Sequence, residues 1–319
     1  MRTLVCMSVL LVACCAAAAA DFMPPTAEER LEAIGSLEGL PDVLRRAFEP
    51  GPDFEPMPMP RRGEWLAEHE EPGQTFDEFI ASKRKTPSET RHIIYLQPLG
   101  AFPEEDAPSL DLLRDFTAAF FAMEVRVLPP RELDTTTLTN RINRQSHKRQ
   151  FLTKDLLDLL KKDLPEDAFC VLGITMEDLY HDPTWNFVFA YTTYRARVGV
   201  YSFVRFDRSF YGEKRRAGED TLVLRRSCKA LAWATGAFGL AHCIHFRCIQ
   251  NGCNHLAERD SQPLHLCPVC LRKLHHSIEF DVVERYRNLQ KFYEKAGLND
   301  EAEWVAGRLK HIGASAGEP

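Results

Sequence analysis

The sequence predicts an α/β protein, a mixed twisted sheet with helices packed on it. Three observations predict this. Strand-like apolar runs alternate with amphipathic stretches from residue 91 to residue 175; two further strand-like runs then follow each other across a short turn; and a long apolar helical stretch leads into a cysteine-rich loop. Strand–helix alternation yields parallel neighbours, and strands adjacent in sequence yield antiparallel ones, so the sheet is mixed. The 319 residues suffice for one large or two small domains with a proper core.

Each element has its own signature. HIIYLQPL reads as a buried strand. SLDLLRDFTAAFFAM (109–123) spaces apolar residues as a helix does, and Pro108 stands just before it. EVRVLPP is a second strand, stopped by its prolines. FLTKDLLDLLKKDLP (151–165) is an amphipathic helix whose basic end suits the helix dipole. AFCVLGIT (168–175) is a third strand, and WNFVFAYTT and ARVGVYSFVRF are two more. A helix is expected over Thr221–Leu240, then a cysteine-rich loop to Lys273, then helices near Phe280–Ala296 and Asn299–Ile312. RFDRSFYGEKRRAGED, which holds Asp207 and Glu213, reads as a solvated loop, and so does the stretch with His181 and Asp182.

Regular structure is expected to start near Arg91. Before it lies a helical and Pro-rich extension (21–90) with one helix around Ala27–Leu37, and FEPGPDFEPMPMPRRG reads as an extended linker, since proline blocks helix and central strand alike. The first 20 residues have the layout of a secretory signal peptide: Arg2, an uncharged stretch from Leu4 to Ala19, and Ala18-x-Ala20 as a cleavage site. The expected organisation is therefore signal peptide 1–20, extension 21–90, a central domain 91–276 and C-terminal helices 277–319. A net charge of −6 gives no support to nucleic-acid binding, and no segment is expected to span a membrane.

The cysteines carry the strongest chemical signal. Cys243-x4-Cys248 is followed, after eighteen residues, by Cys267-Pro-Val-Cys270. Two close pairs at this separation can meet around one tetrahedral zinc with four thiolates. Such a site has no open position, so the metal would hold the loop and perform no chemistry. Two disulfides are the alternative, favoured if the chain is secreted. Cys170, Cys228 and Cys253 are expected to be free and buried.

RRSCKAL, FGLAHC, FRCIQNG, NHLAERDSQPLHLCPVCLRKL and VERYRNL, with KTPSETRHIIYLQPLG, PEDAFCVLGITMEDLY and WNFVFAY upstream, resemble the archaemetzincins, a branch of the metzincin zinc metallopeptidases. The likeness covers roughly residues 40 to 295. It implies a metzincin-like fold, a structural zinc on Cys243, Cys248, Cys267 and Cys270, and a catalytic zinc on the motif His-Glu-x-x-His-x-x-Gly-x-x-His. Histidines four apart share a helix face and grip a metal together, and the glutamate serves as general base. Aligned without a gap, this chain has Ala232, Trp233, Gly236, Gly239 and His242 at those positions, and Gln250 where the family has a methionine beneath the metal. The turn glycine and third histidine are kept, so His242 is a vestigial ligand; two ligands and the base are not.

The sequence therefore points to a pseudoprotease with one structural zinc and a cleft for a peptide or protein ligand. The alternative is an active, aminopeptidase-like zinc metallopeptidase with other ligands. His245, His255, His265, His275 and His276 are read as surface or loop residues, not as replacements. Trp233 is expected to fill the space of the metal and its water. The family resemblance implies a cytoplasmic or nuclear protein, against the secretory signal at the start. Substrate, partner and oligomeric state are not legible.

Overall fold

The computed structural model describes residues 22–103 and 105–313. The segment read as a signal peptide lies outside them. In chain order the helices are α1 (Ala27–Ile34), α2 (Asp42–Phe48), α3 (Trp65–Glu68), α4 (Phe76–Ala81), α5 (Leu110–Phe121), α6 (Thr153–Lys162), α7 (Glu219–Ala232), α8 (Leu256–Ser261), α9 (Pro268–Ile278), α10 (Val282–Lys295) and α11 (Asn299–His311). The strands are β1 (Ile93–Leu99), β2 (Val125–Val127), β3 (Asn140–Ile142), β4 (Arg149–Leu152), β5 (Ala168–Thr175), β6 (Asp178–Tyr180), β7 (Ala190–Thr193) and β8 (Val198–Ser202).

The main sheet runs β2-β1-β5-β8-β7. All neighbours are parallel except β7, which lies antiparallel to β8 at one edge. The mixed sheet expected from the sequence is thus present. β1, β5 and β8 are buried throughout, which explains their near-continuous apolar runs. Successive side chains face opposite ways. Ile94, Leu96, Cys170 and Leu172 join the larger core, with α5, α7 and α10, while Ile93, Tyr95 and Val171 join a smaller core with α6. Gly173 allows α6 to approach: a β-carbon there would lie 2.8 Å from the Leu160 Cδ1 atom.

Four features depart from the sequence reading. First, α1 to α4 precede Arg91, where little regular structure was expected; Thr26 and Thr75 begin α1 and α4 with full capping boxes. Second, the proline-rich stretch is no free linker. Phe54 is buried edge-on to Phe246, His265 and Trp304, and Pro56 pairs with Phe246. Proline excludes this stretch from a helix or a central strand, but not from lying extended on a preformed surface. Third, a small sheet, β3-β4-β6, covers a buried pair in which Arg205 meets both Asp178 oxygens at 2.7 Å. Fourth, the first half of the loop before α7 is folded, not solvated: Asp207 is buried and accepts from Arg215 Nε at 2.6 Å, whereas Tyr211, Gly212, Glu213 and Lys214 are exposed as expected. His181 is likewise held, stacked on Tyr191 at 3.5 Å with Thr153 Oγ1 at 2.8 Å from its Nδ1. Its neighbour Asp182 keeps to the expected loop and accepts from the Thr184 N–H at 2.8 Å.

Candidate metal centre and the altered helix end

The cysteine-rich loop leaves α7, makes a tight turn at Cys248, and enters α9 at Cys267 with Pro268 in its first turn. Proline is pre-shaped for that position. The sulfurs of Cys243, Cys248, Cys267 and Cys270 all lie within 4.8 Å of one another, and all four residues are buried. No disulfide joins them. A tetrahedral zinc with bonds of about 2.3 Å sets its sulfurs about 3.8 Å apart, so the group fits the ion with small adjustments. The surroundings suit thiolates. The N–H groups of Gln250 and Cys267 point at the Cys248 sulfur at 3.5 and 3.3 Å. Hydrogen bonding from the Cys248, Cys267 and Cys270 thiols draws Cys243 ionisation well below its ordinary range, while burial pushes Cys267 up and the hydrogen bond to Cys243 pushes Cys270 up, so without an ion the group favours one thiolate. Cys270 also lies in the first turn of α9, where the helix dipole favours negative charge. Asn251 ties the turn together, accepting from the Cys248 N–H at 2.6 Å and donating to the carbonyls of Cys243 and Phe246.

Upstream, the expected helix over Thr221–Leu240 is cut in two. α7 stops at Ala232, and Trp233–Phe238 continues as a 3-10 helix. Local chemistry accounts for the change. Thr235 and Gly236 are weak helix formers, and Thr235 Oγ1 bonds back to the Ala232 carbonyl at 2.9 Å. Gln250 Nε2 donates to the same carbonyl at 3.1 Å and closes the end of α7. Gly239, at φ 92°, ends the 3-10 turn in a conformation that disfavours any side chain. On an α-helix, residues four apart stand about 40° apart around the axis; on a 3-10 helix they stand about 120° apart. Positions 232 and 236 therefore do not share a face.

The three side chains of interest go separate ways. Ala232 is fully buried in the larger core. Trp233 is half-buried beneath the Arg259 guanidinium, 4.0 Å from its ring centre, and its indole N–H has no acceptor among the described residues. Arg259 is itself held in the loop, donating to the carbonyls of Lys229 and Ile249. His242 turns toward the N-terminal segment, with its Nδ1 2.7 Å from Glu71 Oε1 and its ring edge-on to Trp65. Glu71 also accepts from the Trp65 indole at 2.8 Å. The His242 hydrogen bond is the main influence holding the Glu71 carboxyl below its usual range. Three residues on, Gln74 bonds with both faces of its amide, to the Gly239 carbonyl at 3.3 Å and the Ala241 N–H at 3.2 Å. Lys273 donates to the Gln74 carbonyl from the other side.

Comparison with known proteins places this frame. Residues 121–276 match Peptidase family M54. Archaemetzincin-2 of Mus musculus is 35% identical over 298 residues, 84% of this chain and 83% of that protein. The chain belongs to the archaemetzincin family. Archaemetzincin-2 of Homo sapiens is 36% identical over 281 residues, 79% of this chain and 78% of its own length. The crystal structure of archaemetzincin from Methanopyrus kandleri is similar at 26% identity and a TM-score of 0.46, over 61% of this chain and 99% of that one.

Several residues that hold this archaemetzincin's metal centre and helix end were not read from the sequence. Asn251 was legible in principle, because Asn-Gly after a cysteine is turn chemistry. Glu71, Trp65 and Gln74 were not, because they lie more than 160 residues from the groups they hold. Two histidines read as surface or loop residues are packed instead: His245 is buried beside the metal centre, and His265 stacks on Trp304 at 3.7 Å. Cys170 and Cys228 are free and buried as expected, while Cys253 is only half-buried. Among the described residues, no other group of three His, Cys, Asp or Glu could hold a metal ion.

Proposed function

We propose that this archaemetzincin binds peptides without cutting them and carries one zinc, on Cys243, Cys248, Cys267 and Cys270. One observation carries the proposal. At three of the family's motif positions stand Ala232, Trp233 and Gly236, and after Ala232 the backbone winds as a 3-10 helix. Neither the side chains nor the winding suits a metal gripped by residues four apart. When bound, the zinc supplies cross-linking: four thiolates fix the loop that carries Arg259 and His242. The protein's own residues do the remaining work. Asn251 shapes the turn, and Gln250 seals the helix end. β7, the antiparallel edge of the main sheet, offers its outer backbone groups to an extended peptide by strand addition.

A metallopeptidase with other ligands is the second reading, and the Glu71–His242 contact favours it. A histidine that ligates metal commonly has its other nitrogen held by a carboxylate. Metal analysis separates the two readings. The proposed function expects one zinc per purified chain and no peptide hydrolysis. A second tightly bound zinc, or cleavage of a short peptide that phenanthroline abolishes, would overturn it.

A further inference from the structure

A groove of ≈ 560 Å³ lies between α5 and α10, lined by none of the residues of the metal centre. It depends on neither the zinc nor the altered helix end. At its base is Arg285, only 3% exposed. Its Nε donates to the Phe120 carbonyl at 2.7 Å, and its guanidinium lies 5.0 Å from the Phe120 ring centre and 5.3 Å from that of Phe280. Capping the end of α5 in this way uses one of five N–H donors. Among the described residues, no carboxylate pairs with Arg285 and no acceptor meets its two terminal nitrogens. Those two nitrogens of a residue that is otherwise buried are left free for an anion in the groove that Arg285 lines.

We propose that this groove binds a small monocarboxylate with an apolar body, its carboxylate held by Arg285. Two parallel N–H groups match a carboxylate edge to edge. Ala119, Ala122, Met123 and Phe292 supply an apolar wall for the body of the ligand, and Lys291 adds a positive charge to the lining. The volume suits a small molecule. Three carboxylates also border the groove. Asp115 is neutralised by Lys295 at 2.7 Å, but among the described residues Asp281 and Glu284 form no ion pair, and they repel a phosphate or other polyanion more than a single negative charge.

Titration calorimetry on the purified full chain tests this, with hexanoate as the probe and hexanol and inorganic phosphate as controls. Hexanoate is expected to saturate one site, with hexanol and phosphate each at least roughly tenfold weaker. Arg285→Gln should weaken hexanoate by at least roughly tenfold. Ala118→Leu, which fills the groove and leaves the guanidinium in place, should do the same. Circular dichroism checks that each variant is folded; if Arg285→Gln unfolds, Ala118→Leu decides. Heat that never saturates, hexanol or phosphate binding as tightly as hexanoate, or hexanoate binding at full strength to a folded variant each overturns the proposal.

Discussion

At the scale of single residues, the proposed function makes the side chains at 232, 233 and 236 only half of what separates this chain from a working metal site. Restoring the side chains with the triple change Ala232→His, Trp233→Glu and Gly236→His tests the other half. Ala232 and Gly236 are buried, so two imidazoles must enter a packed core. Overpacking of that kind typically costs about 1–3 kcal/mol at each position. Trp233→Glu also removes the ring on which Arg259 rests. The expected outcome is a lower thermal midpoint and still one zinc per chain, read by calorimetry and metal analysis. A variant that binds a second zinc would show that the segment rewinds readily into an α-helix. The residues at 232, 233 and 236 were legible in the sequence, because the motif is local and its spacing fixed. The winding was not. It depends on Gln250, eighteen residues downstream, reaching back to a carbonyl at the end of α7.

At the scale of elements, the segment from Phe54 to Gln74 acts as a strap over the zinc loop. It is fastened at Phe54, Pro56, Trp65, Glu71 and Gln74. Gly252 leaves the room that Trp65 needs, since a β-carbon there would lie 2.3 Å from the indole. The Glu71 fastening depends on pH in a definite direction. Its carboxyl is held below the usual range, so its contribution is fully present above about pH 4.5 and is lost as the pH falls through the lower, folded-state value. Pepsin should therefore cut between residues 63 and 76 faster as the pH falls from about 5 to about 3. Glu71→Gln should show fast cleavage across the whole range, with that step gone. An unchanged cleavage profile in the variant would mean that the strap holds without this contact. β1, β2, β5, β7, β8 and α5, α6, α10 and α11 were legible because each carries its own apolar run or periodicity. The strap was not, because its contacts follow no period and its partners lie far along the chain.

At the scale of the whole molecule, the zinc loop is where distant parts of the chain meet. α1, α2 and α4 rest on α9, and Arg272 of α9 donates to the Ile34 and Ser36 carbonyls. From the C-terminal side, fully buried Arg308 reaches Asp53 at 3.0 Å and the Arg46 and Ala47 carbonyls at 3.1 Å. Loosening the loop thus loosens much that surrounds it. Cys270→Ser removes one thiolate from the centre, and the expected result is loss of the bound zinc and a drop in thermal midpoint of ten degrees or more, roughly what a loss of several kcal/mol produces in a chain of this size. Wild-type protein stripped by chelator should unfold at the same lowered temperature. A midpoint unmoved by either treatment would place the stability elsewhere. The same architecture sets an order of events during synthesis. Ala47 leaves the ribosome 261 residues ahead of the arginine that finally clasps it. At about 5–20 residues per second, the opening quarter of the chain waits roughly 13–50 s for its last partner, exposed meanwhile to proteases and chaperones.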